Sequence, residues 1–195
     1  MNIEKIILPE PTKKGGKPLM ETLNSRESCK NFLINDISLQ KLSDLLWAMF
    51  GINRPDIQKC TAPSAKNWQA TELYVIKKEA VYLYNKIEHS LILLLKGDFR
   101  QISGLQDYPK TAPVNIILVS NLEKIEKINE LDKKITASMD AGFISQNAYL
   151  YCASEDLGCV ARLMLDKELI SSTLNLPIYK WPAIAITVGF KNINI

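Results

Sequence analysis

Two short polar runs hold the residue types that could do chemistry. "NSRESCKNF", Asn24 to Phe32, places Arg26, Ser28, Cys29 and Lys30 between two apolar helical patterns. A guanidinium offers a planar fork of donors to a phosphate, a serine a short hydroxyl donor, and a lysine a compact charge. If the run is extended, its period of two points Arg26, Ser28 and Lys30 the same way, towards one anionic ligand. A solvated connector between helices is the other reading that composition allows. "PSAKNWQ" poses a similar choice. Pro63 and Ser64 mark a turn with exposed backbone groups, and Asn67 and Gln69 could read an amide-rich ring edge. Ordinary helix capping by Ser64 explains the first half equally well.

Other chemistries are weakened by what the chain holds. Its one histidine, His89, falls beside Glu88 in an expected hairpin turn and reads as a surface residue. Ser/His/Asp and Cys/His hydrolysis both need such a base near a nucleophile. No GxGxxG, Walker A or HExxH pattern occurs. Cys29, Cys60, Cys152 and Cys159 show neither CxxC spacing nor a Cys/His cluster, so they read as reduced thiols. Trp68, Tyr108 and Phe143 could line a pocket, although aromatic side chains more often pack.

The elements that must position these residues follow from periodicity. "PEPTKKGGKP", residues 9 to 18, holds three prolines and two glycines and reads as part of an extended arm over residues 1–18. One domain over residues 19–195 follows. "LMETLN" gives one or two helical turns. "SLQKLSDLLWAMFG" is a core helix with Ser38 as N-cap, Leu39, Leu42, Leu45, Leu46 and Met49 on one face, and Gly51 at its end. "ATELYVI" alternates as a strand, "AVYLYNKIEHSLILLL" reads as a hairpin around Asn85 to Glu88, and "APVNIILVS" as an interior strand. A long helix spans "ITASMDAGFISQNAYLYCASEDLG", with Ser138 available as its cap and Gly158 as its terminator. "MLDKELISSTLN" adds a shorter helix, and "WPAIAITVGF" a closing strand. Without regular strand-helix alternation, the best fit is an α+β sandwich.

Bulk properties limit the partners. With 195 residues, 47% hydrophobic and 23% charged, the chain can bury one sizeable core. Its net charge of +3 comes from 24 basic and 21 acidic residues spread along the whole length. No polybasic block points to nucleic acid or an anionic membrane. The longest apolar run, "HSLILLLKG", is far shorter than a membrane span, and "MNIEKIILPEPTKKGGKP" has no small-residue cleavage site. A cytoplasmic location is the expectation, with a removed export signal leaving no trace.

Taken together, five stretches in order resemble the flavin-dependent nitroreductase family, particularly its compact members of about this length. The family's N-terminal signature is Arg, any, Ser, any, Arg or Lys, any, Phe, and "RESCKNF" supplies Arg26, Ser28, Lys30 and Phe32 in register. A second signature, Pro-Ser-Ser/Ala-x-Asn-x-Gln ahead of a strand, looks like "PSAKNWQATELYV". "SGLQDYPKTAPVNIILV" is similar to a Gly-x-Gln before an Ala-Pro strand. "DAGFISQNAYLYCASEDLG" resembles the long central helix ending in Leu-Gly, and "ITVGF" the closing Gly-Tyr/Phe strand.

The resemblance implies an α+β sandwich of a mainly antiparallel sheet flanked by helices, with a long central helix. It also implies a homodimer with FMN at the subunit interface, NADH or NADPH as donor and a nitroaromatic, quinone or similar acceptor. Arg26 and Ser28 would hold the phosphate and ribityl end, and Lys30 would lie near the pyrimidine edge. Pro63, Ser64 and Ala65 would approach the flavin from the partner subunit, with Asn67 alongside. Gln106 would pair with the pyrimidine edge, and the backbone of Ala161, Arg162 and Leu163 would pass near the flavin N5. Lys191 is the one candidate for the basic residues that relatives place after the last strand. The resemblance implies no catalytic side chain, because the chemistry is the flavin's, and no metal. Azoline-type dehydrogenation, or flavin sequestering without turnover, are the other activities it admits.

Overall fold

A seven-stranded antiparallel sheet forms the centre of the computed structural model, which describes residues 4–126 and 129–192. Its strands are β1 (Lys5–Ile7), β4 (Thr71–Ile76), β5 (Ala80–Asn85), β6 (Ser90–Lys96), β7 (Val114–Asn121), β8 (Leu157–Arg162) and β9 (Lys180–Phe190). They lie in the order β1-β6-β5-β4-β7-β9-β8. β2 (Ile52–Arg54) and β3 (Lys59–Cys60) form a separate two-stranded ribbon with an irregular register. The helices are α1 (Leu19–Ser25), α2 (Leu39–Phe50), α3 (Tyr108–Thr111), α4 (Glu130–Ser154) and α5 (Lys167–Thr173). The α+β sandwich expected from the element order is the architecture observed.

Strand alternation decides how the layers stack. Leu73 and Val75 of β4 and Ile116 and Leu118 of β7 point into the larger core, beneath Leu42, Leu45 and Met49 of α2 and Ala141, Ile144 and Ala148 of α4. Tyr74, Ile76, Ile117 and Val119 point to the opposite face, where Ile102 and Ile170 cover them. A sheet buried on both sides reads as continuous apolar strands, which is the pattern of "APVNIILVS". Ser38 caps α2 by accepting from Lys41 N at 3.2 Å, as its sequence predicts, whereas Leu39 is exposed. Among the described residues no helix is long and apolar enough to cross a membrane.

Four expectations need correction. α4 begins at Glu130, capped by Asn129, whose side chain accepts from Asp132 N at 2.9 Å. Ser138 lies inside the helix and donates back to the Lys134 carbonyl at 2.8 Å, a local bond open to any mid-helix serine. Gly158 does not end α4, which stops at Ser154; it is buried within β8. β8 itself was not legible, because "LGCVAR" holds a single β-branched residue and a glycine and reads as the tail of the helix.

His89 is the fourth correction. It is half-buried with φ 47°, its Nε2 2.6 Å from Ser43 Oγ and its Nδ1 2.9 Å from Tyr84 OH. Ser43 Oγ donates to the Pro9 carbonyl at 2.5 Å, so Nε2 carries the proton that Ser43 accepts, and Nδ1 accepts from Tyr84. Burial pulls the His89 pKa below its ordinary value and keeps the ring neutral. The network pins the segment after β1 to α2; Ser43 is fully buried and has no access to a substrate.

Candidate functional site

The first polar run is stitched along the edge of the sheet. Arg26 closes α1, its N–H donating to the Thr22 carbonyl at 2.9 Å, and the chain then extends beside β8. Cys29 N donates to the Cys159 carbonyl at 2.9 Å, Phe32 bridges Lys191, and Leu33 N donates to the Phe190 carbonyl at 2.9 Å. Glycine is required at the crossing. A Cβ on Gly158 would stand 2.8 Å from Cys29 Sγ and 3.0 Å from Cys29 Cβ, and one on Gly189 would stand 3.3 Å from the Phe32 ring. Cys29 thus lies against the strands while Ser28 and Lys30 on either side of it are exposed, as period two requires; Phe32 has the parity of Ser28 and Lys30 yet turns inward, so the alternation breaks before it.

Tyr149 of α4 organises the exposed side of the run. Its hydroxyl accepts from Ala161 N at 2.9 Å and lies 3.0 Å from Ser28 Oγ. Either hydroxyl can donate in the Ser28–Tyr149 pair, and the Ala161 N–H holds the phenol in place beside the serine. The Arg26 guanidinium sits over the Tyr149 ring, 5.4 Å from its centroid. Among the described residues Arg26 and Lys30 have no ion pair. Lys191 does have one: its ammonium lies 2.9 Å from Glu27, whose carboxyl it holds below the usual carboxylate range. The one cation expected after the last strand is therefore already partnered.

Gln106 and Arg162 meet around Gly104. A Cβ on Gly104 would stand 2.5 Å from Arg162 Nε and 2.9 Å from Gln106 Oε1. Both atoms are buried without a hydrogen-bond partner among the described residues. Arg162 is buried, donating through Nη1 to Thr187 Oγ1 at 2.6 Å and through Nη2 to the Ser103 carbonyl at 2.6 Å and Asn115 Oδ1 at 3.3 Å. Among the described residues no carboxylate faces it, and desolvation lowers its pKa to about 10, which leaves it charged at neutral pH. Its guanidinium is 5.5 Å from the Tyr108 ring centroid, and Tyr108 is tilted against Phe32 at 6.1 Å. Gln106 and Arg162 thereby connect to the first run; Leu163 lies exposed just beyond β8.

The second run is built differently. Lys66, Asn67 and Gln69 have φ of 46°, 57° and 48°, in the left-handed region that non-glycine residues rarely occupy. Side chains hold it there. Ser64 Oγ accepts from Gln69 N at 3.1 Å, and Gln69 Nε2 donates to the Gln58 carbonyl at 2.7 Å and to Asn67 Oδ1 at 3.1 Å. Lys86 Nζ donates to Gln69 Oε1 at 2.6 Å. The carboxylate of Asp140, buried in α4, accepts from Ala65 N at 3.1 and 3.3 Å; burial raises its pKa and that amide lowers it.

One chain does not unite the two runs. Asp140 and Tyr149 are nine residues apart on α4. At ~1.5 Å and ~100° per residue they are ~13 Å apart along the axis and on opposite sides of the helix. Arg26, Ser28, Ala161, Gln106 and Arg162 gather at the β8 edge, while Pro63, Ser64, Ala65 and Asn67 stand apart. Tyr149 and Asp140 were missed as positioning residues, although both lie in the long-helix motif. Nothing in a helical pattern says which polar residue reaches a loop distant in sequence.

Comparisons with known proteins place the chain in a family. MJ1384 of Methanocaldococcus jannaschii, a nitroreductase by name, is 27% identical over 184 residues, covering 89% of this chain and 91% of that protein. A crystal structure from Ralstonia eutropha JMP134, described in the same terms, superposes with a TM-score of 0.91 at 34% identity, covering 96% of this chain and 90% of that one. A chain of the Escherichia coli microcin synthetase complex McbBCD shares the fold at a TM-score of 0.74 and 20% identity, covering 96% of this chain and 78% of its own length. The profile of the nitroreductase family matches residues 23–190, and the chain belongs to that family.

Proposed function

We propose that this protein is an FMN-dependent oxidoreductase. It takes reducing equivalents from NADH or NADPH and passes them, in a ping-pong cycle, to a nitroaromatic, quinone or similar small acceptor. The observation that carries the reading is the sheet-edge run, in which Arg26, Ser28 and Lys30 present a guanidinium, a hydroxyl and an ammonium on one extended segment. The residues present fit an FMN. Arg26 and Ser28 would hold its phosphate and ribityl end, and Gln106, with its unpartnered buried oxygen, would take a donor at the pyrimidine edge. Bound FMN supplies hydride chemistry, so the chain needs no side-chain general base. Lys30 would add a fixed positive charge that favours negative charge on the pyrimidine ring. The buried Arg162 would add positive potential from beneath Gly104.

A homodimer is part of this reading. The opposite placement of Tyr149 and Asp140 on α4 suits a site assembled from the run of one chain and the Pro63–Asn67 turn of the other. Leu131, Ile135, Met139 and Phe143 recur every four residues along α4 and are all exposed, an apolar stripe that a second copy would cover.

The purified protein is expected to show the flavin absorption bands, release FMN on denaturation and oxidise NAD(P)H with an added quinone. Absence of both flavin binding and NAD(P)H oxidation after reconstitution overturns the proposal. Oxidation of an azoline substrate without NAD(P)H would select the dehydrogenase reading, and bound flavin that no acceptor reoxidises the sequestering one. Arg26→Ala should weaken FMN retention by several-fold or more, since a charge-assisted contact contributes ~1.5–3 kcal/mol. Lys30→Ala should act mainly on the reduction potential.

A further inference from the structure

A second group of cations stands beside the strained turn. Arg54, Lys59 and Lys66 line a cavity of about 500 Å³ together with Pro63, Ser64 and Asn67. Among the described residues no carboxylate lines it, and none of the three cations has an ion pair. Arg54 is partly oriented, donating through Nε to Asn53 Oδ1 at 3.1 Å and through Nη2 to the Cys60 carbonyl at 3.2 Å. Lys66 rests over the Trp68 ring, 5.3 Å from its centroid. Among the described residues, four of the seven non-glycine residues with positive φ, Gln58, Lys66, Asn67 and Gln69, fall in this one stretch. Backbone held in sparsely populated conformations concentrates where a site must be pre-shaped. Like charges gathered without an acid repel one another until an anion enters.

We propose that Arg54, Lys59 and Lys66 form a phosphate-binding pocket. A guanidinium and two ammonium groups, with the Ser64 hydroxyl and the Asn67 amide on the same wall, match the multiple acceptor oxygens of a phosphate or diphosphate. The pocket also answers a deficit elsewhere, because Lys191 is partnered with Glu27 and the sheet-edge run keeps only Arg26 and Lys30 free. The phosphate has two possible sources: the flavin's own 5′-phosphate, reached across the subunit interface, or the diphosphate of the nicotinamide donor. Only this choice of source rests on the flavin reading; the pocket's affinity for phosphate does not.

Inorganic pyrophosphate is the probe. Titration calorimetry on the full chain, with and without FMN, is expected to show binding that weakens with added salt and falls at least ten-fold in the Arg54→Gln/Lys59→Gln/Lys66→Gln variant. All three positions are at or near the surface, so circular dichroism and the thermal midpoint should remain those of the wild type. If the variant retains riboflavin normally but loses FMN, the flavin phosphate is the occupant. If instead the KM for NAD(P)H rises at least ten-fold while that for 1-benzyl-1,4-dihydronicotinamide is unchanged, the donor is. Pyrophosphate binding that is undetectable in the wild type, or equal in the variant, overturns the proposal. Normal FMN binding and NAD(P)H oxidation with no pyrophosphate effect removes this inference alone; pyrophosphate binding without flavin binding removes the flavin reading alone.

Discussion

The run at Arg26–Phe32 and the turn at Ser64–Gln69 have similar composition, each with at least one cation, a hydroxyl and an aromatic ring, yet opposite physics holds them. The run is relaxed and extended, and main-chain bonds to β8 and β9 hold it, with Phe32 packed against Gly158 and Gly189. The turn is strained at three residues, and the side chains of Ser64, Gln69, Lys86 and Asp140 hold it in place. A backbone-anchored segment tolerates change in the side chains it displays. A segment held by side chains loses its shape when one of them is removed.

That contrast can be broken from either side. The largest expected effect is Gly158→Val, whose added carbons would enter the space of Cys29 and Phe32 and peel the run from the sheet edge. It should lower stability by ~3 kcal/mol and speed alkylation of Cys29 while leaving hydrogen exchange in the turn unchanged. Asp140→Ala should do the reverse. It removes the acceptor of Ala65 N, lowering stability by ~2 kcal/mol and raising amide exchange from Ala65 to Gln69, with the run unaffected. Equal loosening of both segments by either variant would show that they are one unit rather than two.

Smaller effects sharpen the comparison. Lys66→Gly should relieve the left-handed strain and raise stability by ~0.5–1 kcal/mol, read as a higher denaturation midpoint, whereas glycine at Lys30 should bring no gain. The smallest effect is a pH dependence. Burial raises the Asp140 pKa in the folded state, so its stabilising influence is complete below the unfolded carboxylate range and declines as pH rises through the raised value. Asp140→Asn, which keeps an acceptor without the charge, should therefore gain on the wild type between acid and neutral pH. His89 acts with the opposite sign: its lowered pKa makes the neutral-ring network fully stabilising above the ordinary histidine value and weaker as pH falls. Urea midpoints across that range would show both limbs.

The legible parts of the fold were those with strong periodicity and local caps. α2 with Ser38, the β5–β6 hairpin, the interior strand β7 and the closing strand β9 all follow from apolar spacing and turn chemistry. β8 was not legible, because "LGCVAR" has little intrinsic strand preference and takes its conformation from pairing with β9. The cap of α4 was misplaced because its first buried residue, Ala137, lies about two turns after Asn129, and Leu131 and Ile135 before it are exposed. His89 looked like a surface turn because nothing local shows that Ser43 and Pro9, distant in sequence, would close over its ring.

Among site residues the same division holds. Which groups are present, and in what order, can be read along the chain: Arg26, Ser28 and Lys30 at period two, the Pro-Ser turn, Gln106 before β7, and one histidine. Tertiary structure alone decided their company. It placed Tyr149 beneath Ser28, paired Lys191 with Glu27, buried Arg162 among neutral partners, and gathered Arg54, Lys59 and Lys66 around one cavity. Spacing along a strand or helix sets direction within one element, but contacts between elements depend on how two cores pack against one sheet, and no local pattern encodes that.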